Sequence, residues 1–569
     1  MLQKRWKFPD KPKKELIDSL SAEINVGHEL AAILVQRGIV DFESAKNFFR
    51  PSLDQLHDPF LMKNMETAVN RLITALENNE HILIYGDYDV DGTTSVTLLY
   101  SFLSKIHNRI TYYIPDRYTE GYGVSKAGIQ FAIDNQVGLI ISLDCGIKSS
   151  ARVADAKAAG IDFIICDHHN PDVNDMPDAF AILDAKQHDC PYPYKELSGC
   201  GVGFKLLQGF CIRTGRDQSI LYSYLDLVAI SIASDIVPIT GENRVLAYFG
   251  LEVLNKNPRP GVKALIDFSG MKKEVDITSI VFGIGPRINA AGRIEHARDA
   301  VKLLLEEDSE KIEFFATVVN NNNSFRRDID SQITDEALEM INSDGFANAR
   351  STVLFNPEWH KGVIGIVASR CIEHYYRPTV IFTESNGYAT GSARSIAGFD
   401  LYEAICRCSD LLEQFGGHTY AAGLSLKKDN IAEFKTRFES ITQEMLTEED
   451  MIPVQNVDYL LSFDKINFKF STIIKQMGPY GPGNLNPVFV SENVYVSGNS
   501  KLLKEKHLKM SLMQQGNNQI LDAIGFNLGM YYEQIRSGQE FKICYSVEEN
   551  TFNGKTTLQL NIKDIKFNN

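Results

Sequence analysis

The chain has 569 residues, 44% hydrophobic and 23% charged, so it can form sizeable cores and has room for about three or four domains. It shows neither the apolar core of a signal peptide nor the roughly 18 uninterrupted apolar residues of a membrane span, so we expect no membrane contact and a cytoplasmic location. The net charge of −15 disfavours polyanionic partners unless basic residues cluster locally. Nine cysteines without a CxxC pair argue against a zinc site and a disulfide framework.

Residues 1–75 begin with a basic tail, MLQKRWKFPDKPKK, and continue with helical patterns such as ELAAILVQRG. We predict an N-terminal helical cap or arm that covers a core, with contact of the basic end with nucleic acid as the alternative. Residues 76–296 contain five apolar runs that alternate with helical stretches: HILIYG, RITYYIP, GLIISLD, FIICD and AFAILD. This alternation predicts an α/β domain with a parallel sheet covered on both faces.

Three acids follow the first of these strands in the motif GDYDVDG, namely Asp87, Asp89 and Asp91. Ionised carboxylates this close together repel each other unless a cation neutralises them, and a hard divalent metal prefers such oxygen ligands. A solvated acidic loop is the alternative. A calcium loop of the helix-loop-helix kind needs a glutamate at its twelfth position, and counting from Asp87 that position is Leu98.

Other elements of this domain end in the same way. Asp144 follows the run VGLIISL, the three residues Asp167, His168 and His169 follow FIIC, and Asp235 ends an apolar helix. The carboxyl ends of parallel strands lie along one edge of a sheet, where ligands bind. A lone histidine is more often a core or surface residue than a ligand, but paired histidines beside acids at matching strand ends are hard to explain by packing. We therefore predict a metal centre at this edge.

Two glycine-rich segments of the same domain contain arginines. In PDRYTEGYGVS, which contains Arg117 and Tyr122, the residue types are typical of a structural turn. In FGIGPRINAAGRIEHA, Arg287 and Arg293 flank Asn289, and small residues allow the backbone to approach a ligand closely. This second segment is not a nucleotide-binding P-loop, because no Gly-Lys-Ser/Thr follows the glycines.

Residues 297–349 have a helical pattern throughout, which predicts a long connecting helix between two lobes, although its four consecutive asparagines are poor helix formers. Its polar face is either solvated or in contact with a strand threaded between the lobes. The residues concerned are Asn320, Asn323, Arg326 and Arg327.

Residues 350–450 again mix strands and helices, which predicts a second α/β lobe. The motif GSARS places Ser392 and Arg394 on one side of a strand, a good arrangement for gripping one phosphate. Two glycines before His418 leave backbone N–H groups accessible to an anion. His360, in WHKGVIGIVASR, is interpreted equally well as part of a helix start and as a substrate contact.

Residues 451–569 contain five strand-like runs without long helices, which predicts a small β-barrel of the OB type, a common binder of single strands. Four lysines in this segment could follow phosphates, and an edge hairpin with solvated lysines is the competing interpretation. These residues are Lys501, Lys504, Lys506 and Lys509.

Taken in order and at these separations, the motifs GDYDVDG, LDCG, CDHH and ASDIVP resemble those of the DHH family of phosphoesterases. The resemblance covers roughly residues 50–569. Within that family, the chain resembles the RecJ type, which is specific for single-stranded DNA. It implies two α/β lobes, a DHH domain with a parallel sheet and a DHH-associated domain, joined by a long helix and followed by the OB barrel. The corresponding segments are 1–75, 76–296, 297–349, 350–450 and 451–569.

The resemblance also implies 5′-to-3′ exonuclease activity that releases mononucleotides in DNA repair and recombination. The expected cofactors are two Mn²⁺ or Mg²⁺ ions, and the expected partners are single-stranded DNA, single-strand-binding protein and a helicase, with the enzyme itself a monomer. The predicted metal ligands are Asp87, Asp89, Asp91, Asp144, His168 and Asp235. The residues predicted to take part directly in catalysis are His168, His169, Asp144, Asp89 and Asp91, with Asp167 orienting a histidine. The predicted substrate contacts are Arg117, Tyr122, His169, Arg287, Asn289, Arg293, Ser392, Arg394 and His418.

Two other functions are compatible with the motifs. A DHH enzyme for small substrates such as dinucleotides or pyrophosphate needs only the two lobes, so the predicted barrel and basic arm favour a polymeric substrate. An inactive scaffold of a replication assembly is expected to have lost metal ligands, whereas every acid and histidine of the motifs is present in this chain.

Overall fold

The structure is a computed structural model that describes residues 4–343, 349–498 and 500–567. The chain folds into two compact units. The parallel-sheet unit comprises residues 43–325 and 476–485, and the barrel unit comprises residues 1–42, 326–475 and 486–569 as far as they are described. The five predicted segments are a finer division than these two units and stay a prediction.

The five strands predicted between residues 76 and 296 form one fully parallel sheet in the parallel-sheet unit. In spatial order they are Ile110–Tyr113, Ile82–Gly86, Leu139–Leu143, Asp162–Cys166 and Ala181–Leu183. Ile82–Gly86, the first strand of this sheet along the chain, has the second on one side and the third on the other, so the strand order reverses at this point. Ligands bind outside the carboxyl ends of strands at such a reversal.

Alternate residues of these strands pack into two hydrophobic clusters, one on each face of the sheet. Ile82 and Ile84 belong to one cluster, and Leu83 and Tyr85 belong to the other. The division follows from the two-residue period of a strand. Burial on both faces also explains why the strands are continuous apolar runs in the sequence.

Helices cover both faces of the sheet, as the alternating pattern predicted. The helices of this unit are Met65–Glu77, Val90–Leu103, Lys126–Asp134, Ser150–Ala158, Gly199–Thr214, Leu225–Ser234, Gly241–Lys256, Pro260–Ser269, Ile277–Ser279, Gly285–Ile294 and Arg298–Leu305. A π-helical turn, Ile280–Ile284, continues directly into Gly285–Ile294. The helix Phe42–Phe49 lies at the junction with the N-terminal segment.

The barrel unit contains a five-stranded mixed sheet in the region predicted as the second α/β lobe. In spatial order its strands are Leu412–His418, Ala421–Leu426, Tyr388–Arg394, Thr379–Ser385 and Thr352–Phe355. Only the last two pair in parallel. The same part of the chain contains three helices, Ile364–Tyr375, Leu401–Cys406 and Ile431–Met445.

The predicted C-terminal barrel is present and closed. Its five strands are Phe489–Val496, His507–Gln514, Leu521–Gly525, Phe541–Phe552 and Lys555–Phe567. Closure results because the first of these strands pairs with both the second and the fourth. Two short strands, Tyr459–Leu460 and Lys501–Leu503, extend the sheet. Helix Phe468–Gln476 precedes the five strands, and helix Tyr532–Arg536 lies between the third and the fourth.

The N-terminal region contains helices Lys14–Ile24 and His28–Gln36, as predicted, and its basic tail contains a short strand that was not predicted. Arg5–Lys7 is a strand that pairs in parallel with Val454–Asn456. The indole N–H of Trp6 donates a hydrogen bond to Asp564 at 2.7 Å. A strand of three residues is too short to show a hydrophobic period, so the sequence pattern could not predict it.

The predicted connecting helix is a single α-helix of 35 residues, Ser309–Ser343, which begins in one unit and ends in the other. It is separated from helix Arg298–Leu305 by the residues 306–308, so the predicted segment contains two helices. The part of the prediction that covers residues 344–348 lies outside the described residues. Within the described ranges, no helix combines the length and the apolar composition needed to cross a bilayer.

Candidate metal centre

The first acidic motif forms the turn between strand Ile82–Gly86 and the helix that begins at Val90. Asp87 is fully buried, and one of its carboxylate oxygens accepts a hydrogen bond from the Gly123 N–H at 3.3 Å. Asp89 caps the helix by accepting a hydrogen bond from the Gly92 N–H at 3.0 Å. Position 92 requires glycine, because a Cβ atom there would lie 2.4 Å from the carbonyl oxygen of Asp87. The turn therefore holds both carboxylates in fixed directions.

The third acid, Asp91, is held by the beginning of a distant helix, Gly199–Thr214. Its two carboxylate oxygens accept hydrogen bonds from the N–H groups of Gly199 and Cys200, at 2.6 and 2.8 Å, and one of them also accepts from the Ser231 hydroxyl at 2.7 Å. Backbone N–H groups at a helix N-terminus stabilise a negative charge. Asp91 is thus a buried carboxylate with strong hydrogen-bond support of its own.

The acids and histidines from the other strand ends converge on the Nε2 atom of His168. This atom lies 3.1 Å from Oδ1 of Asp144, 3.5 Å from Oδ2 of Asp235 and 3.7 Å from Oδ2 of Asp91. Two overlapping groups have ligand atoms within 4.8 Å of one another: one is Asp144, His168 and His169, and the other is Asp91, His168 and Asp235. Four of the six predicted ligands, Asp91, Asp144, His168 and Asp235, therefore converge at the edge of the sheet, whereas Asp87 and Asp89 belong to neither of these groups of described residues.

The backbone of Asp144 has a φ of 58°, in the left-handed region that non-glycine residues seldom adopt. Its neighbour Gly199 must also lack a side chain, because a Cβ atom there would lie 2.6 Å from the Cβ of Asp144. Unusual backbone conformations of this kind persist where the surrounding structure fixes them, often at functional sites. Here the turn directs the carboxylate toward His168.

The carboxylates of this site are difficult to ionise together. Burial and the neighbouring acids raise the pKa values of Asp87 and Asp144 well above the ordinary range, and the same causes raise the pKa of Asp235 to about 8. Burial lowers the pKa of His168 to about 4, so its imidazole is neutral near neutral pH. Metal ligation needs ionised carboxylates and a neutral imidazole, and a bound cation favours both.

The second histidine is oriented by a carboxylate that lies behind it. The Nδ1 atom of His169 donates to Oδ1 of Asp167 at 2.7 Å, and its Nε2 atom lies 3.1 Å from the hydroxyl of Tyr122. Burial alone would raise the pKa of Asp167, but the hydrogen bond and the charge of His169 lower it below its usual value. Asp167 thus orients a histidine, in agreement with its predicted function, and it also accepts a hydrogen bond from the Ile147 N–H at 3.0 Å.

The two residues singled out in the tyrosine-rich turn lie beside this site. Tyr122 is 55% exposed, and its hydroxyl donates to the carbonyl of Asp144 at 3.3 Å. The guanidinium of Arg117 lies 5.0 Å from the ring centre of Tyr88, the residue between Asp87 and Asp89. An exposed ring and a nearby cation next to the acidic cluster are suitable for contact with a nucleotide.

The glycine-rich segment with the predicted phosphate contacts is mostly helical. Arg287 is buried, and it donates hydrogen bonds to the carbonyls of Gly283 and Phe268, at 2.7 and 2.9 Å, and to the side chain of Asn320 at 3.0 Å. At least three of its five N–H groups are therefore used within the fold, which is the pattern of a structural arginine.

Asn289 and Arg293 lie on the same helix, Gly285–Ile294, and both are half-buried. The main-chain carbonyl of Arg293 accepts a hydrogen bond from the Tyr118 hydroxyl. This helix contacts the acidic turn, because a Cβ atom on Gly292 would lie 2.8 Å from the carbonyl oxygen of Tyr88. The two side chains are therefore carried by a helix that packs on the metal centre.

Comparison with known proteins agrees with this geometry. Three sequence families match the chain: the DHH family N-terminal domain over residues 81–232, the DHHA1 domain over residues 348–444, and the RecJ OB domain over residues 457–564. The single-stranded-DNA-specific exonuclease RecJ of Bacillus subtilis (strain 168) is 38% identical over 564 residues, which cover 98% of this chain and 70% of that protein. The chain belongs to the RecJ family.

Two solved RecJ structures share the fold. RecJ from Thermus thermophilus in complex with Mn²⁺ is 26% identical and superposes with a TM-score of 0.84, covering 99% of this chain and 80% of that one. The same protein in complex with Mg²⁺ gives 25% identity and a TM-score of 0.78, covering 99% of this chain and 79% of that one. The predicted family, fold class and barrel type are thus confirmed.

The residues present fit the divalent metals that the RecJ family implies. Among the described residues, Oδ2 of Asp87 is buried and has no hydrogen-bond partner. Polar atoms are seldom left in this state unless an ion or water completes the site. A donor set of several carboxylates with one or two imidazoles suits Mn²⁺ or Mg²⁺ better than Zn²⁺.

The predicted contacts of the RecJ DHHA1 domain lie in the barrel unit. Ser392 and Arg394 share one face of strand Tyr388–Arg394, and a guanidinium N–H of Arg394 donates to the Ser392 hydroxyl at 3.1 Å. Gly365, in the first turn of helix Ile364–Tyr375, lies against both, because a Cβ atom there would be 2.8 Å from each side chain. An arginine, a hydroxyl and the beginning of a helix therefore meet at one place, a suitable combination for binding phosphate.

His418 and His360 belong to the same domain. His418 ends strand Leu412–His418, is exposed, and accepts a hydrogen bond from the Tyr420 N–H at 3.3 Å. His360 accepts one from the Gly362 N–H at 3.1 Å just before the helix, and burial lowers its pKa.

The four lysines predicted to follow phosphates in the RecJ OB domain are exposed: Lys501, Lys504, Lys506 and Lys509. Lys501 lies opposite Lys509 in the paired strands Lys501–Leu503 and His507–Gln514. Like charges facing each other across two strands are unfavourable without an anion. This pairing favours the interpretation of the lysines as phosphate contacts.

Sequence reasoning missed Asp184, which follows strand Ala181–Leu183 as Asp167 follows its own strand. Asp184 is fully buried; Oδ1 accepts a hydrogen bond from the Lys186 N–H at 2.7 Å, and Oδ2 has no partner within the described ranges. Burial raises its pKa to about 7. The position of Asp184 at a strand end could have been predicted, because the run AFAILD ends in an acid as the other strands do.

Proposed function

We propose that the chain is a metal-dependent exonuclease that degrades single-stranded DNA from 5′ to 3′ and releases mononucleotides, in DNA repair and recombination. The observation that carries this proposal is the convergence of Asp144, His168 and Asp235 at the carboxyl edge of the sheet, in a member of the RecJ family. Every acid and histidine of the four motifs is present, which argues against an inactive scaffold.

The ligands that we propose for two divalent ions are Asp87, Asp89, Asp91, Asp144, His168 and Asp235. When bound, Mn²⁺ or Mg²⁺ supplies positive charge for the phosphate and activates a water nucleophile. The protein holds the carboxylates in place through the Asp89 cap, the hydrogen bonds to Asp91 and the left-handed turn at Asp144. Fixed ligands reduce the reorganisation needed during the reaction.

His169 is the side chain that we assign to the scissile phosphodiester. It is partly exposed, and Asp167 fixes the direction of its ring. In this position its Nε2 atom either contacts the scissile phosphate or donates a proton to the leaving oxygen. Tyr122, in contact with His169 at 3.1 Å, is suited to stack on the terminal base.

The remaining contacts that we propose belong to the DNA backbone. In the parallel-sheet unit, the residues that we propose to contact the DNA backbone are Arg117, Asn289 and Arg293. In the DHHA1 domain they are Ser392, Arg394 and His418. We propose only a minor contribution of Arg287 to DNA binding, because most of its hydrogen bonds are made within the fold. The matched OB domain supports a polymeric substrate in preference to a dinucleotide.

The resemblance further supports a monomeric, cytoplasmic enzyme that works with single-strand-binding protein and a helicase, and these parts of the proposal rest on it alone. We propose that the first four of the five segments end at residues 75, 296, 349 and 450.

Labelled oligonucleotides test the proposed reaction. Single-stranded and double-stranded substrates carrying a label at either the 5′ or the 3′ end are incubated with Mn²⁺, with Mg²⁺ or with EDTA. We expect the 5′ label to appear at once as a mononucleotide, the 3′-labelled strand to shorten progressively, and both reactions to need metal and a single strand. The reverse order of products would contradict the polarity, and cleavage of dinucleotides alone would identify a small-molecule phosphodiesterase.

A further inference from the structure

A short segment after helix Phe468–Gln476 belongs to the parallel-sheet unit, although the chain on both sides of it belongs to the barrel unit. We call residues 476–485, with the sequence QMGPYGPGNL, the strap. Dense in glycine and proline, it has the composition of a linker. Its contacts are instead those of a folded and docked element.

The strap is folded on itself by one buried asparagine. Asn484 is 2% exposed, and its side-chain amide donates to the carbonyls of Met477 and Pro479 at 3.0 and 2.8 Å. Its main chain also exchanges two hydrogen bonds with Gly481, at 2.9 and 3.0 Å. A fully bonded asparagine at the centre of the turn gives the strap one defined shape.

A second set of contacts holds the strap to helix Gly241–Lys256. The guanidinium of Arg244 donates to the carbonyl of Gly478 at 2.6 Å and to that of Met477 at 3.3 Å. The same guanidinium lies 4.1 Å from the ring centre of Phe48, and the side chain is 5% exposed. Hydrogen bonds from a buried cation are among the stronger ones in a protein, so this anchor is firm.

The surface on which the strap lies is the loop that follows Asp235. The N–H of Ile239 donates to the carbonyl of Pro482 at 2.7 Å. Gly481 packs so tightly on Ile239 that a Cβ atom would lie 2.5 Å from its side chain, and a Cβ atom on Gly483 would lie 2.9 Å from Thr240. The strap therefore fixes this loop four residues beyond the carboxylate that faces His168.

The loop needs such support because its backbone is strained. Ile236, directly after Asp235, has a φ of 60° and is 65% exposed. A β-branched residue is strongly disfavoured in the left-handed region, and the conformation persists only where the surrounding structure fixes it. On one side the loop continues helix Leu225–Ser234, and on the other side it is held by the strap.

We propose that the strap is a positioning segment for the metal centre, which keeps Asp235 directed at the site by clamping Ile239. Through this contact, a segment some 240 residues away in the chain sets the affinity of the centre for its ions. The inference rests on the proposed metal-dependent function, since it concerns a ligand of that centre.

Two variants loosen the strap without altering a proposed ligand. Asn484→Ala removes the hydrogen bonds that shape it, and Gly481→Val displaces it from Ile239. Val69→Ala is the matched control, because it removes buried methyl groups from helix Met65–Glu77, which carries none of the ligands. Binding of Mn²⁺ to each purified full-length protein is measured by electron paramagnetic resonance of free Mn²⁺, with thermal unfolding in EDTA recorded in parallel.

We expect both strap variants to bind Mn²⁺ about ten-fold or more weakly, the size of effect seen when partners outside the ligand shell are removed. Their exonuclease activity should recover at high Mn²⁺, with the KM for oligonucleotide unchanged. The control should unfold at a lower temperature and bind Mn²⁺ normally. Wild-type affinity in both strap variants would overturn the inference and leave the proposed function intact, whereas absence of Mn²⁺ binding by the wild-type protein would overturn both.

Discussion

The Nε2 atom of His168 lies 3.1 Å from Oδ1 of Asp144, and both side chains are buried although they follow different strands of the sheet. Replacing Asp144 by Asn tests this relationship with little change of shape, because asparagine tolerates the left-handed backbone at this position. We expect metal-dependent hydrolysis of an oligonucleotide to fall at least about 100-fold. Removing a residue that only hydrogen-bonds to a metal ligand already lowers metal affinity or activity 10- to 100-fold.

The same variant separates loss of metal from loss of fold. In EDTA, Asp144→Asn should unfold at the same temperature as the wild type or a higher one, because one buried, repelling carboxyl group is gone. Mn²⁺ at about 100 times its Kd stabilises a protein by about 2.7 kcal/mol, and this gain should be lost in the variant. Asp155→Asn, on the exposed side of helix Ser150–Ala158, serves as the control. Full stabilisation by Mn²⁺ in Asp144→Asn would remove Asp144 from the ligand set.

The sheet and the acidic cluster were predictable because both are local patterns. An apolar run such as VGLIISLD predicts a strand by itself. Parallel topology then brings Asp144 and His168 to the same edge of the sheet without further information. The closed barrel was predictable for a similar reason, since each of its strands is bounded by turn residues.

What could not be predicted are contacts between segments that are remote in sequence and show no periodic signal. Nothing in the motif GDYDVDG indicates that Asp91 is held by the N–H groups of Gly199 and Cys200, 108 and 109 residues away. The glycine and proline content of the strap is typical of a linker or a corner, yet Asn484 is buried. The sequence likewise gives no sign that Arg287, which is predicted to contact phosphate, donates hydrogen bonds to the carbonyls of Gly283 and Phe268.

Arg287 and Arg293 should therefore respond differently to replacement by Met. Arg287→Met leaves the carbonyls of Gly283 and Phe268 without their donor, so we expect the free energy of unfolding to fall by about 3 kcal/mol. Arg293→Met should cost under about 1 kcal/mol and raise the KM for oligonucleotide about ten-fold, as loss of one charged phosphate contact does. Urea denaturation and initial rates measure the two effects. A large rise in KM with unchanged stability in Arg287→Met would restore its predicted phosphate contact.

Asp184 should make the stability of the protein depend on pH. Its pKa is raised from 3.8 to about 7, so between these values the folded chain holds a proton that the unfolded chain releases. The contribution of Asp184 to stability is therefore full below about pH 4, declines as the pH rises toward 7, and stays low above it. Ionising the buried group costs at most about 4 kcal/mol.

Asp184→Asn removes this dependence while keeping an oxygen that can accept from the Lys186 N–H. In EDTA the variant should be more stable than the wild type at about pH 8, and the difference should shrink as the pH falls through about 6. Urea denaturation at several pH values measures the difference. A constant difference between the two proteins across this range would contradict the raised pKa.

Arg394 should bind the DNA backbone through its charge, since it lies with Ser392 on one face of strand Tyr388–Arg394. Replacing it by Ala should weaken binding of an oligonucleotide whatever its sequence, because a phosphate carries no base information. The slope of log affinity against log salt concentration should become less negative by about 0.7, the value for one phosphate contact on a single strand. Fluorescence anisotropy with catalytically inactive Asp144→Asn as the parent protein measures binding without degradation.

Arg437→Ala is the matched control for this charge, because Arg437 lies on helix Ile431–Met445 of the same unit and pairs with Asp410 and Glu433. Each variant removes one positive charge from the protein, so a general effect of charge would change the two salt slopes equally. A change confined to Arg394→Ala would instead place one phosphate at Arg394. Equal slopes in the two variants, or an effect that depends on base sequence, would show that Arg394 does not hold the backbone.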